Sequence, residues 1–349
     1  MDDMNKILES QIGGIGEDKP MFEPELRDEP KSLGKAKYHG AVAEKDTKEE
    51  ARKRVEEAID SARLNATPIR GGYIEMNVDE LGDRAVFYPE GWKFYIKPAT
   101  VDDIKNWSSI DEERIDQVND VFNEIIRSCV KIVDRDGVTV GWNKLNSWDR
   151  FWFLLKVREY TFDKGEKVIT YSETCPECDA AVTYELKAAS LLYDLPDKDI
   201  IERHWDREDR VWIINPKDYD VNGPIIKFYV PTLEKDAAIF TWLLKRQQEG
   251  KKINETFVKF LPWLLQKVSR DEKVTEKFIG DCEGVYKTWS ADMFSLVDDI
   301  IRNIQIIPAD RLKTICEHCG EEVSDPIKFP NGIRGLFTIS GGHKKFGSK

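Results

Sequence analysis

The chain has little of what most enzymes need. Four histidines occur in 349 residues, and none neighbours a plausible nucleophile in sequence. There is no G-x-x-x-x-G-K-[S/T] loop, no G-x-G-x-x-G after a strand, no H-E-x-x-H and no G-x-S-x-G. No catalytic residue is therefore expected. Basic excess is lacking too: 53 Lys and Arg stand against 65 Asp and Glu, a formal charge of −12. A general nucleic-acid binder needs a concentrated basic surface to displace counterions, which this balance does not offer. No apolar run approaches the roughly 20 residues of a membrane span. The opening Met-Asp-Asp-Met lacks a basic-then-apolar leader, so synthesis in a cytoplasm is expected.

What remains is a highly charged chain, 40% apolar and 34% charged, long enough for two domains with cores. Its ten tryptophans suit binding to other proteins, since Trp is favoured at buried interfaces as well as in cores.

Four of the six cysteines form two C-x-x-C pairs, Cys175/Cys178 and Cys316/Cys319. A C-x-x-C turn presents two thiolates from one tight knuckle, and two knuckles complete the tetrahedral sulfur set that Zn²⁺ prefers. A compact ribbon separates its pairs by about 15–20 residues; here a domain's length intervenes. One structural zinc ion clamping two distant segments is the reading that follows. Two others compete. A lone C-x-x-C can be a redox dithiol, but the second pair would then be coincidence. Disulfides are rare in a protein made in a cytoplasm. His318, inside the second knuckle, reads as a spacer, because four thiolates already close the shell. Cys129 sits on the apolar face of a helix as a small hydrophobe, and Cys282 reads as structural.

Along the chain, residues 1–46 mix charge, glycine and three prolines (Pro20, Pro24, Pro30) without periodicity, an extended or disordered arm. Residues 47–66 hold an amphipathic helix, with a Thr47/Glu50 capping box and a narrow stripe of Ala51, Val55, Ile59 and Ala62 suited to a partner. From 67 to 192 the pattern predicts strands at Arg84–Tyr88 and Trp92–Ile96, a helix opened by Thr100 and Asp102–Asp103, and a helix over Glu112–Val133. An Asp136-Gly137 turn, an aromatic helix over Asn146–Tyr160, the first knuckle and a strand at Ala181–Leu186 follow. A charged connector (193–226) holds strand islands and His204, read as part of a solvated charge patch. From 227 to 340 come helices at Glu234–Gln248, Asn254–Gln266 and Glu272–Ile304, the second knuckle, a turn at Pro330–Gly332 and a strand at Gly335–Ile339. Residues 341–349 read as a flexible tail.

The second half echoes the first. Lys227-Phe-Tyr-Val-Pro-Thr matches Lys93-Phe-Tyr-Ile-Lys-Pro-Ala-Thr, each opening a helix with an aspartate, Asp236 or Asp102. Trp148-Asp149-Arg150-Phe151 and Ala291-Asp292-Met293-Phe294 then lead to the knuckles, and Asp149 is expected to cap its helix or pair with Arg150 or Arg158. Lys93 to Cys175 spans 82 positions, Lys227 to Cys316 spans 89. The expected fold is α+β: two related strand–helix repeats, each ending in a zinc knuckle, joined by one Cys₄ site and preceded by the arm.

These motifs have a relative. The order Gly-Gly-Tyr, Tyr88-Pro89, Phe-Tyr-Ile-Lys-Pro-Ala-Thr-x-x-Asp, Trp-Asp-Arg-Phe with Leu-Lys-Val-Arg-Glu-Tyr-Thr, then Cys-Pro-x-Cys resembles the T-even-type bacteriophage baseplate hub protein family. Phe-Tyr-Val-Pro-Thr-x-x-x-Asp and Cys-x-x-Cys-Gly-Glu are similar to its longer members. The likeness covers about Pro68 to Ile339. It implies a structural component of a contractile phage tail, at the hub of the virion baseplate. The implied neighbours are other baseplate, tail-tube or tape-measure proteins, met by several copies in a symmetric assembly, through the arm and exposed aromatic surfaces. Two alternatives remain: a non-virion assembly chaperone for the hub or tape measure, and, from another class, a zinc-ribbon nucleic-acid-binding protein.

Overall fold

Alternation of inward and outward side chains decides the first sheet. A computed structural model of the chain describes residues 72–109, 111–162, 168–266, 276–329 and 332–337. The arm, the helix expected at 47–66 and the tail lie outside the described residues. Strands β1 (Ile74–Met76), β2 (Lys93–Ile96), β3 (Val130–Val133) and β4 (Thr139–Val140) form an antiparallel sheet in that order. In β2 the alternation buries Phe94 and Ile96. Between β1 and β2 the expected strand at 84–88 is absent: Val78–Phe87 is a 3₁₀ stretch, interrupted at Gly82 (φ 59°). Leu81, Arg84 and Phe87 turn inward, at the three-residue period of that helix.

Helix α1 (Val101–Ser108) opens as its capping box predicts, with Thr100 and Asp103 exchanging hydrogen bonds of 2.9 and 3.2 Å. Helix α2 (Ile115–Cys129) stops four residues short of the expected end, where Val130–Val133 becomes β3. The β-branched run is claimed by pairing with β2 instead. Asp134 accepts from the N–H groups of Asp136 and Val138, and Gly137 (φ 79°) closes the hairpin to β4. Helix α3 (Arg150–Thr161) follows a 3₁₀ turn at Ser147–Asp149, and Trp152 to Arg158 are all buried. A helix covered on every side is a core helix.

Next come the hairpin β5 (Ile169–Thr174) and β6 (Ala181–Leu186), then β7 (Tyr193–Asp194) and α4 (Lys198–His204). Strands β8 (Trp205–Asp206), β9 (Val211–Ile214) and β10 (Ile226–Tyr229) make a second sheet in the order β10-β9-β8. Helices α5 (Leu233–Gln248) and α6 (Glu255–Leu264) follow; Pro262 lies inside α6. The helix expected from 272 to 304 is two helices, α7 (Glu276–Lys287) and α8 (Ala291–Ile304). Ser290 restarts it by accepting from Met293 N–H at 3.2 Å. Strand β11 (Ile307–Pro308) pairs with β7, and β12 (Arg311–Ile315) with β13 (Glu322–Pro326). The strand expected from 335 is a 3₁₀ turn at Ile333–Leu336, with 338–339 outside the described residues.

Among the described residues, two cores interleave the two halves. One gathers Phe94, Ile126, Trp152, Phe153 and Leu186 with Leu312, Val323, Leu336 and Phe337 from the far end of the chain. A second gathers Trp212, Phe228, Phe260 and Val297 with Phe87 and Trp148 from the first half, and a smaller third, with Trp242, Phe257 and Ile279, lies within the second half. Tryptophan serves these interiors: of the ten, seven are buried, three half-buried and none exposed. Among the described residues the expected exposed aromatic surfaces therefore come down to tyrosines such as Tyr73 and Tyr219. A bulky ring contributes most where its whole area leaves water.

Candidate metal centre

Both cysteine turns cap hairpins, β5–β6 and β12–β13, and both are tied in the same way. The Cys175 N–H donates to Ala180 O at 2.8 Å and Asp179 N–H to Cys175 O at 3.0 Å. The Cys316 N–H donates to Glu321 O at 2.9 Å and Gly320 N–H to Cys316 O at 2.8 Å. The residue after each second cysteine takes the left-handed conformation, Asp179 at φ 58° and Gly320 at φ 79°. Strand β6 packs against β12, and Tyr171 of β5 donates its hydroxyl to Pro326 O at 2.8 Å. The two hairpins thus lie together with their turns at a common end.

There the four sulfurs of Cys175, Cys178, Cys316 and Cys319 all lie within 4.8 Å of one another. Cys175 and Cys319 sulfurs are 3.8 Å apart, Cys178 and Cys316 sulfurs 3.7 Å. A tetrahedron with metal–sulfur bonds of about 2.3 Å has edges of about 3.8 Å. The donor set therefore fits a tetrahedral thiolate metal, with all four positions taken by protein. Charge at the site is unevenly held. The N–H groups of Cys319 and His318 hold the Cys316 thiol down to about 6. Cys178 is pushed up to about 12: the Ala180 N–H lowers it, but desolvation and the thiols of Cys319, Cys175 and Cys316 outweigh that. A divalent cation amid crowded sulfurs removes their mutual repulsion. His318 is exposed on the second turn. The remaining cysteines lie elsewhere: Cys129 is buried, its thiol pushed up to about 12 by desolvation, and half-buried Cys282 is pushed up to about 11 for the same reason.

A family model described as T4 bacteriophage base plate protein matches residues 84–330, over two thirds of the chain. The chain belongs to that family. The match takes in both cysteine hairpins. No curated protein and no solved structure matches this base plate chain. Among its described residues no helix is long and apolar enough to cross a membrane.

Arg84, where the match begins, also anchors a buried polar cluster that sequence reasoning missed. Asp149 is fully buried and pairs with Arg84 (Nη1–Oδ1, 2.9 Å), not with Arg150 or Arg158 as expected. The Tyr88 hydroxyl donates to Asp149 Oδ2 at 2.9 Å and accepts from Asn146 N–H at 3.2 Å. The Arg84 guanidinium lies 3.6 Å from the Tyr193 ring centre. Desolvation raises the Asp149 carboxyl to about 6, against the pull of Arg84 and Tyr88. Asp292, its expected counterpart, is exposed on α8. The base plate chain also differs at His204, expected in a solvated patch. His204 is buried, with Nδ1 3.2 Å from Ile213 O and Nε2 2.8 Å from the Tyr219 hydroxyl. The continuous apolar run Val211-Trp-Ile-Ile, close after Trp205, was the available signal.

Proposed function

We propose that this base plate protein is a hub-region component of a contractile tail. In this reading two related repeats, 67–192 and 227–340 joined by a connector at 193–226, are clamped by one zinc ion on Cys175, Cys178, Cys316 and Cys319. The family match across both cysteine hairpins carries the reading. The clamp is supported by the sulfur spacing. The repeats are supported by the identical hydrogen bonding of the two turns, and by β2 and β10. Phe94 and Ile96 of β2, and Phe228 of β10 with Val230 just past its end, turn inward at the same register before a helix with Thr100 or Thr232 at its N-cap position. Against full equivalence, β3 and β4 have no described counterpart after β10.

A closed Cys₄ site leaves no open coordination position, so the ion would supply rigidity and not catalysis. Neighbouring tail-tube, tape-measure or baseplate proteins would be bound by residues 1–66 and by exposed aliphatic side chains such as Val101, Ile225 and Ile315. Imaging an assembled tail at side-chain resolution tests this. Density for the chain at the baseplate axis, with a single strong peak amid the four sulfurs, is the expected result. Absence of the polypeptide from purified particles by mass spectrometry would leave the assembly-chaperone reading in its place.

A further inference from the structure

Across the two hairpins, the Cys175 and Cys319 sulfurs lie 3.8 Å apart and those of Cys178 and Cys316 3.7 Å. Each pair joins a buried cysteine to a more accessible one: Cys175 and Cys316 are buried, Cys178 is half-buried and Cys319 exposed. The arrangement is reciprocal, as in an isologous contact between like surfaces. An oxidant in solvent meets Cys319 first, and the Cys175 sulfur 3.8 Å from it belongs to the opposite hairpin.

We propose that the four cysteines are a modification site as well as a metal site. A peroxide-class oxidant converts them to two disulfides, Cys175–Cys319 and Cys178–Cys316, which keep the hairpins joined when the ion leaves. Only the starting state rests on the zinc reading. For each bridge, one thiolate attacks a peroxide oxygen, giving a sulfenic acid and hydroxide. The facing thiolate then attacks the sulfenic sulfur and displaces a second hydroxide. Two thiolates are oxidised to one disulfide, one peroxide is reduced to two hydroxides, and the cation departs hydrated. The separations of 3.8 and 3.7 Å close to a bond of about 2.0 Å by small side-chain rotations. The chemistry suits a virion protein. Thiolates persist in a reducing cytoplasm, where metal binds them; outside the host the surroundings are oxidising. The same four residues then hold the two hairpins together in both compartments.

The test uses full-length protein as purified, with and without hydrogen peroxide, digested without reduction after Glu177 and Glu317. Those cleavages separate the two cysteines within each turn. Expected are linked peptides joining Cys175 to Cys319 and Cys178 to Cys316. A chelator is expected to lower the melting midpoint of untreated protein by ~10 °C or more and to leave that of the oxidised protein unmoved. Peptides linked within a turn, Cys175–Cys178 or Cys316–Cys319, or sulfinic and sulfonic acids in place of disulfides, overturn the proposal. Elemental analysis of the untreated sample is read separately. Protein carrying no metal sinks the zinc reading, while the peptide map still decides the disulfide pairing.

Discussion

Asp149 shows how a single buried charge shapes the molecule's response to its surroundings. Its carboxyl titrates at about 6 in the folded protein, above its ordinary value, because desolvation outweighs Arg84 and Tyr88. Between about pH 4 and 6 the native state therefore holds a proton that the unfolded chain has released, and stability falls as pH rises through that window. Urea midpoints across the window are expected to show that slope, and Asp149→Asn to flatten it. The same variant leaves the Arg84 guanidinium buried without its counter-charge, at a cost of about 3–5 kcal/mol; Arg84→Met combined with Asp149→Leu recovers most of it. Lys235 slopes the other way. It is buried, donates to Val230 O at 2.9 Å, and is held down to about 7 by desolvation and the nearby Arg210. Stability is expected to rise from about pH 7 to 10 as the unfolded chain alone stays protonated, and Lys235→Met to abolish the rise. The four-cysteine cluster was legible because its members come in local pairs. Arg84 and Asp149 were not, because 65 positions separate them and nothing local marks either as buried.

At the scale of elements, legibility followed capping and alternation. Thr100 with Asp103 announced α1, and Ala181–Leu186 alternated so cleanly that β6 has the bounds expected of it. The failures share a cause. Val130–Val133 continues the apolar periodicity of α2 yet pairs with β2, and Arg84–Phe87 imitates a strand while winding as 3₁₀; distant partners decided both. Ser290 is a cap hidden inside a helix-forming run, and Ser290→Ala is expected to cost about 1 kcal/mol in denaturant unfolding. The two cysteine turns offer a matched comparison. Asp179 and Gly320 hold the same left-handed position, so Gly320→Val is expected to lose ~1–2 kcal/mol and Asp179→Gly to lose nothing.

For the whole molecule, the interleaved cores matter more than any single element. Hairpin β12–β13 belongs to the core built around α3, so in the proposed metal-bound form removing the ion under reducing conditions should loosen more than the two turns. Hydrogen exchange is expected to quicken in residues 169–186 and 311–326 on chelation, and to stay slow in α8, which belongs to the second core. Exchange quickening uniformly across these two cores would mean the cluster does not control this contact. The crossing has a consequence for synthesis. A ribosome delivers Trp152 and Phe153 well over a hundred residues before Leu312, Val323 and Phe337 arrive to cover them. Until then the nascent chain carries an aromatic helix without its lid, so productive folding is post-translational. A chaperone that shields apolar segments on emerging chains should raise the yield of this protein more than one acting on finished polypeptides.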